Sequence, residues 1–222
     1  MKEKTPYVIW QFWTGNNEMS PDRKAALATS ANLGVETKLL TNDDIPKYEL
    51  NEHPFHPAYP YLSCNHQSDY LRCYFSRFYG GGYADVKHYS KDNNWKACID
   101  LLNSTDKYDA VGQAESKGGA AYRDWNFEPH LGKLICTSYF IMRPQSEFTR
   151  LWMESVEKIL TDKLDEIRRH PATEPRQRVQ GDYALRWLDV MGYPFHTLCH
   201  SYFETGRISR ALRTGRVFKE YL

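Results

Sequence analysis

The stretch Ser68-Asp69-Tyr70-Leu71-Arg72, followed by Phe78-Tyr79-Gly80-Gly81-Gly82-Tyr83-Ala84-Asp85-Val86-Lys87, decides how the chain is read. Residues 67–79 carry Tyr70, Leu71, Cys73, Tyr74, Phe75, Phe78 and Tyr79 in a broad apolar stripe of helical period, with Ser68 and Asp69 as first-turn residues. Asp69 and Arg72 then stand three apart on one helix face. Three glycines in a row end that helix and supply positive backbone angles for a tight turn. Tyr83-Ala84-Asp85-Val86 reads as a short buried strand whose end delivers Asp85. In open α/β sheets ligands collect at the carboxyl ends of strands, where a carboxylate can meet a hydroxyl or a metal ion and a nearby arginine can meet phosphate or sugar oxygens. A helix-to-strand turn with a surface salt bridge accounts for any one of these residues alone; their combination points to a sugar-nucleotide site.

Working outward, Tyr7 to Trp13 reads as a first strand ending in Thr14-Gly15-Asn16-Asn17, and Ser20-Pro21 starts a helix that runs to about Asn32 before Gly34. Val35–Thr41 is a second strand. Residues 51–62, rich in Pro, His and Tyr, read as irregular and placed over the site. Beyond the signature the pattern predicts a helix over 93–103, a strand over Ala110–Ala114, a loop over Gly118–Pro129, a strand over Leu134–Met142 and one long helix from Gln145 to about Arg169. His170–Arg178 reads as a connector, Gly181–Val190 as a helix and Tyr193–Leu198 as a final strand, ahead of a basic tail. Alternating strand and helix predict an α/β three-layer sandwich in a single domain over residues 1–222. No internal repeat or low-complexity segment interrupts it.

The whole-chain numbers exclude some classes. A formal net charge of +1 gives no nucleic-acid footprint. No apolar run is long enough to span a bilayer, and residues 1–15 lack a signal-peptide pattern. The five cysteines, Cys64, Cys73, Cys98, Cys136 and Cys199, are odd in number and form no C-x-x-C pair, so they read as reduced thiols in a cytoplasmic protein.

Ser68-Asp69-x-x-Arg72 with Tyr79-Gly80-Gly81-x-Tyr83-x-Asp85 resembles the core signature of glycosyltransferases of GT-A fold with a sugar-binding region containing a DXD motif, a group that includes family 32 and capsular polysaccharide enzymes. Pro6-Tyr7-Val8-Ile9-Trp10-Gln11-Phe12-Trp13-Thr14-Gly15 resembles their opening strand. The likeness covers roughly residues 5–92, and a narrower likeness is to compact viral capsid-glycosylating domains. It implies a mixed, mostly parallel central sheet between helical layers, a nucleotide-sugar-binding half over about 1–92, and an acceptor half over about 93–222. It also implies a nucleoside diphosphate sugar donor, UDP-sugar favoured, transferred with retention to a hydroxyl of a glycan or glycoprotein. Trp13, Thr14 and Gly15 match positions at the nucleobase, Asp69 and Arg72 those that hold sugar hydroxyls and phosphate, and Tyr83 a tyrosine of the same pocket.

Where the family has Asp-x-Asp, this chain has Asp85-Val86-Lys87, a cation in place of the second carboxylate. Three readings stay open. Asp85 holds a divalent metal, Mn²⁺ or Mg²⁺, as the sole protein carboxylate; or Lys87 replaces the metal and neutralises the diphosphate; or the site is catalytically dead. The first is the leading expectation. Glu115 and Asp182 are the further catalytic candidates, the first ending a central strand and the second opening the late helix after Gln180. His200 is the candidate late metal ligand beside Asp85, weighed against His196. Arg207, Arg210, Arg213 and Arg216, with Lys219 beyond, recur at a spacing of three along one side of a helix, and Arg207 is the candidate diphosphate contact. The reading from a different class is a noncatalytic nucleotide-sugar or glycan-binding module descended from such an enzyme.

Overall fold

The computed structural model describes residues 2–116, 128–173 and 181–217. The expected loop at 118–129 lies almost wholly outside these residues, as do Gln180, Lys219 and most of the 170–178 connector.

Six strands form one mixed sheet: β1 (Val8–Trp13), β2 (Glu36–Thr41), β3 (Gly81–Ala84), β4 (Ala110–Ala114), β5 (Ile135–Met142) and β6 (Ile208–Ser209). They lie in the order β2-β1-β3-β5-β4-β6. β1 is parallel to β2 and β3, β4 is parallel to β6, and β5 alone runs against its neighbours β3 and β4. Helices among the described residues are α1 (Pro21–Ala28), α2 (Cys64–Phe78), α3 (Trp95–Ser104), α4 (Glu147–Asp162), α5 (Leu164–Arg169) and α6 (Gly192–Phe203). None is long and apolar enough to cross a membrane.

Strand alternation sorts the core into two layers. Val8, Trp10, Phe12, Tyr83, Phe140 and Met142 face one side and pack with α2, α4 and α6. Ile9, Ala84, Val111, Tyr139 and Ile141 face the other and pack with Trp95, Ile99 and Leu102 of α3. The chain is therefore a single α/β domain with helices on both faces of the sheet.

The glycine turn has a steric cause. Gly80 has φ +65° and Gly81 φ +92°. A Cβ on Gly80 would meet Pro144 Cδ at 2.4 Å, and one on Gly81 would meet Val8 O at 2.7 Å. The Trp10 indole donates to Gly80 O at 2.8 Å, fixing the turn against β1. The glycines thus let β3 slide between β1 and β5 with Asp85 at its end.

Several local expectations need correction. α2 starts one turn earlier than the stripe suggests, because Ser63 caps it by accepting from His66 N at 3.3 Å; Ser68 and Asp69 fall in the second turn. The long helix over 145–169 is two helices, broken at Lys163, whose Nζ donates to Ala184 O at 2.7 Å. Gly181–Val190 is a series of turns, and the expected strand at Tyr193–Leu198 lies inside α6. A short apolar run fits either element, and here Phe195 and Cys199, one helical turn apart, bury the same face. The arginine-rich tail is extended instead of helical: β6 pairs with β4, and the chain continues as a strap to Val217.

Candidate functional site

Parallel β1, β3 and β4 end at the same edge of the sheet, and antiparallel β5 begins there. A cleft of about 630 Å³ opens at that edge, lined by Trp13, Thr14 and Gly15 after β1, Asp85 and Lys87 after β3, Glu115 after β4, and Cys136–Ser138 at the start of β5. Asp69 and Arg72 enter from α2, and Trp187, Met191 and His196 close the far side.

At the floor, four side chains form one network. Arg72 lies 3.4 Å from Asp69 and 3.5 Å from Asp85, and its guanidinium carbon sits 4.3 Å above the Tyr83 ring. The Tyr83 hydroxyl donates to Asp85 Oδ1 at 2.9 Å. Tyr83 spans core and cleft: it is 5% exposed, its ring lies against Phe12 and Phe140, and its hydroxyl reaches the cleft edge. Burial pushes the Asp69 carboxyl above its usual range, with Arg72 pulling the other way. Burial also pushes the Tyr83 phenol well up, so it stays protonated and able to donate.

The backbone of Asp85 is held as firmly as its side chain. Its carbonyl accepts from Gln11 Nε2 at 3.2 Å and from the Tyr89 hydroxyl at 2.5 Å, and its N–H donates to Ser138 O at 3.2 Å. Gln11 is fully buried and is itself positioned by Ser30 Oγ at 3.1 Å. A buried glutamine in a strand of aromatic and β-branched residues is the signal that marks it.

Trp13 sits at the rim, its indole donating to Asn17 O at 2.9 Å, and Thr14 Oγ1 ties the strand end to Cys64 O at 2.6 Å. Glu115 is well enclosed: its side chain is 5% exposed, and Oε2 lies 3.3 Å from His196 Nε2. His196, 1% exposed, also donates from Nε2 to Ile135 O at 3.2 Å. Glu115 is thus an oriented carboxylate facing the cleft and not a solvated loop residue.

Other candidates fall elsewhere. Asp182 is exposed on a turn, starts no helix and does not line the cleft. His200 lies one turn beyond His196 on α6, against His130 with ring centroids 4.4 Å apart, and is absent from the cleft wall. Arg207 forks onto Asp109 at 2.8 and 2.7 Å, at the opposite edge of the sheet where β4 begins. Arg216, and not the expected Arg207, lines the cleft: β6 runs parallel to β4, and the strap beyond it carries Arg216 there. Residues 51–62, expected over the site, instead lie on the flank of α2, held by Tyr74, which donates to His53 O at 2.7 Å, and Tyr70, which accepts from His56 N at 2.9 Å; none of them lines the cleft.

The expected Asp85 and His200 metal pair is therefore not assembled. Among the described residues, no three His, Cys, Asp or Glu side chains converge on a point that would hold a metal ion. Asp85 Oδ1 already accepts from Tyr83 and faces Arg72, and the residue two further on is Lys87. This donor set does not fit a prearranged divalent-metal site.

Comparisons with protein-family models, with curated proteins and with solved structures return no match.

Proposed function

We propose that the chain is a glycosyltransferase of GT-A type that moves a hexosyl or deoxyhexosyl group from a nucleoside diphosphate sugar to a hydroxyl of a glycan or glycoprotein. The observation that carries this reading is the Asp69–Arg72–Tyr83–Asp85 network at the floor of the large cleft, on the carboxyl edge of the sheet. The resemblance of residues 5–92 supplies the direction.

In this reading the nucleobase stacks on Trp13, and Asp69 and Arg72 hold the sugar hydroxyls and phosphate. The bond between the anomeric carbon and the phosphate oxygen breaks with its electron pair leaving on the nucleoside diphosphate. A bond from the acceptor oxygen to the anomeric carbon forms, and the acceptor proton departs to a carboxylate at the reacting centre, for which Glu115 is the enclosed candidate. His196 Nε2 lies 3.3 Å from Glu115 Oε2 and walls that side of the carboxylate. Retention of configuration follows from the resemblance alone.

Lys87 in the place of the second carboxylate favours one competing reading, a noncatalytic nucleotide-sugar-binding module. Calorimetric titration with UDP-glucose and GDP-mannose, followed by assay of released nucleotide, separates the two. Binding with slow donor hydrolysis that Asp85→Ala abolishes supports the transferase. Tight binding with no turnover in any buffer supports the module, and binding of neither donor overturns both.

A further inference from the structure

We infer that this cleft neutralises a nucleoside diphosphate with side-chain cations, Lys87 and Arg216 acting beside Arg72, and takes the nucleotide without a divalent metal. The inference rests on the nucleotide-sugar reading and specifies how that site meets its anionic ligand.

The carboxylates of the cleft are already engaged. Asp69 and Asp85 share Arg72 at 3.4 and 3.5 Å, and Asp85 Oδ1 also accepts from the Tyr83 hydroxyl. Glu115 faces His196 at 3.3 Å through one oxygen and accepts from Ser116 N at 2.8 Å through the other. A divalent ion entering here would meet an Asp85 carboxylate whose Oδ1 already faces a guanidinium and a phenol, with the Lys87 ammonium two residues on.

The cations are built into the same cleft wall. Among the described residues, Arg23, Arg72, Lys87 and Arg216 line the cleft with the three carboxylates Asp69, Asp85 and Glu115, four formal cations to three anions. Arg23 donates to Val86 O, on the peptide that precedes Lys87, so its guanidinium is held at the same strand end. Arg216 is brought in by the backbone. Ser90 N donates to Gly215 O at 2.7 Å, Val217 N donates to His88 O at 2.8 Å, and Arg216 pairs with Tyr89 in an antiparallel bridge. Gly215 has φ +69°, and a Cβ there would meet Ser90 O at 2.7 Å, so the strap can lie this close only with glycine. The Arg216 guanidinium carbon then sits 5.7 Å from the Tyr139 ring. A strap fastened on both sides of one arginine holds that cation over the segment that carries Asp85 and Lys87.

A diphosphate needs this charge twice, on binding and again as the leaving group. When the anomeric carbon–oxygen bond breaks, the electron pair stays on the phosphate oxygen, and Lys87 and Arg216 offset it where a metal otherwise would.

The test is calorimetric titration of the full chain with UDP and with GDP, in EDTA and in Mn²⁺. The preferred nucleotide is expected to bind equally in both buffers, within about threefold. Lys87→Ala and Arg216→Gln should each weaken it by about tenfold or more in EDTA, while Lys87→Arg keeps most of the affinity. Lys87→Asp, which rebuilds Asp-x-Asp, should make binding sensitive to EDTA and restorable by Mn²⁺. Thermal melts of each variant check that it remains folded. Wild-type binding that vanishes in EDTA and returns with Mn²⁺ overturns this inference and leaves the glycosyltransferase reading standing, as does a Lys87→Ala variant that is folded and binds like wild type. Binding of neither nucleotide in either buffer overturns the glycosyltransferase reading and this inference with it.

Discussion

Replacing Arg72 with Met tests whether the cleft floor is one electrostatic unit. The guanidinium compensates two carboxylates at once, Asp69 at 3.4 Å and Asp85 at 3.5 Å, and all three side chains are at most one quarter exposed. At such distances each pair attracts by about 5 kcal/mol for an effective dielectric of about 20, before the cost of desolvation is set against it. Removing one partner of a buried pair leaves an uncompensated charge, and the net loss is typically about 3–5 kcal/mol. For a chain of this size that lowers the melting temperature by about 6–20 °C, at about 2–4 °C per kcal/mol. The sign of the pH effect follows from Asp69. Burial already raises its carboxyl in the wild type, and without Arg72 it rises further. A carboxyl raised on folding penalises the native state above its folded pKa, and the penalty lifts as pH falls through that value. The stability deficit of Arg72→Met should therefore be largest near about pH 8 and shrink toward about pH 5, and adding Asp69→Asn and Asp85→Asn should recover about half of it. Urea unfolding across that range reads all three. A deficit below about 1 kcal/mol, or one that grows on acidification, would refute the network.

Three further outcomes follow from other parts of the molecule. Asp109→Asn should cost about 2–3 kcal/mol in denaturant melts, because the carboxylate of Asp109 is fully buried and accepts from Lys2, Tyr202 and Arg207; a wild-type midpoint would show that these donors are satisfied by water. Gly80→Ala should cost about 1–3 kcal/mol and lower nucleotide affinity with it, since its positive φ and the contact with Pro144 set where Asp85 emerges; unchanged stability would mean that the turn can relax. Trp13→Ala should weaken UDP or GDP binding by about 1–3 kcal/mol while Trp13→Phe retains most of it, and equal affinity in all three proteins would remove the stacking role.

The first half of the fold was legible because its determinants are local. Ser20-Pro21 caps α1, Gly34 ends the short 3₁₀ turn after it in the left-handed conformation, and the glycine run stops α2 and starts β3 within a few residues. Each of these needs only its own neighbours in sequence. Ala110–Ala114 and Leu134–Met142 were likewise readable as strands, since Ala110-Val111 and Tyr139-Phe140-Ile141-Met142 give each an apolar stretch within a segment of strand length. The second half depends on contacts that sequence spacing does not record. Tyr193–Leu198 has an apolar run that suits a strand or a helix equally, and packing of Phe195 against Phe140, Phe148 and Trp152 selects the helix. At the break, Lys163 reaches a carbonyl twenty-one residues away at Ala184.

The arginines of the tail show why a site can be half visible. Arg207 and Arg216 each follow a glycine of positive φ, Gly206 at +68° and Gly215 at +69°, so nothing local distinguishes them. What distinguishes them is the direction of the sheet. Asp109 precedes β4 and Glu115 follows it, so the two carboxylates mark opposite edges. Because β6 runs parallel to β4, the chain meets Asp109 first, where Arg207 is consumed in a bidentate pair, and reaches the Glu115 edge only after the strand. The strap therefore carries Arg216 to the cleft, and the same parallel run that hides this from sequence spacing puts it on the wall that Asp85 and Lys87 also line. Which arginine reaches the cleft is found by asking which edge of the sheet the chain has reached, and the motif alone does not hold that information.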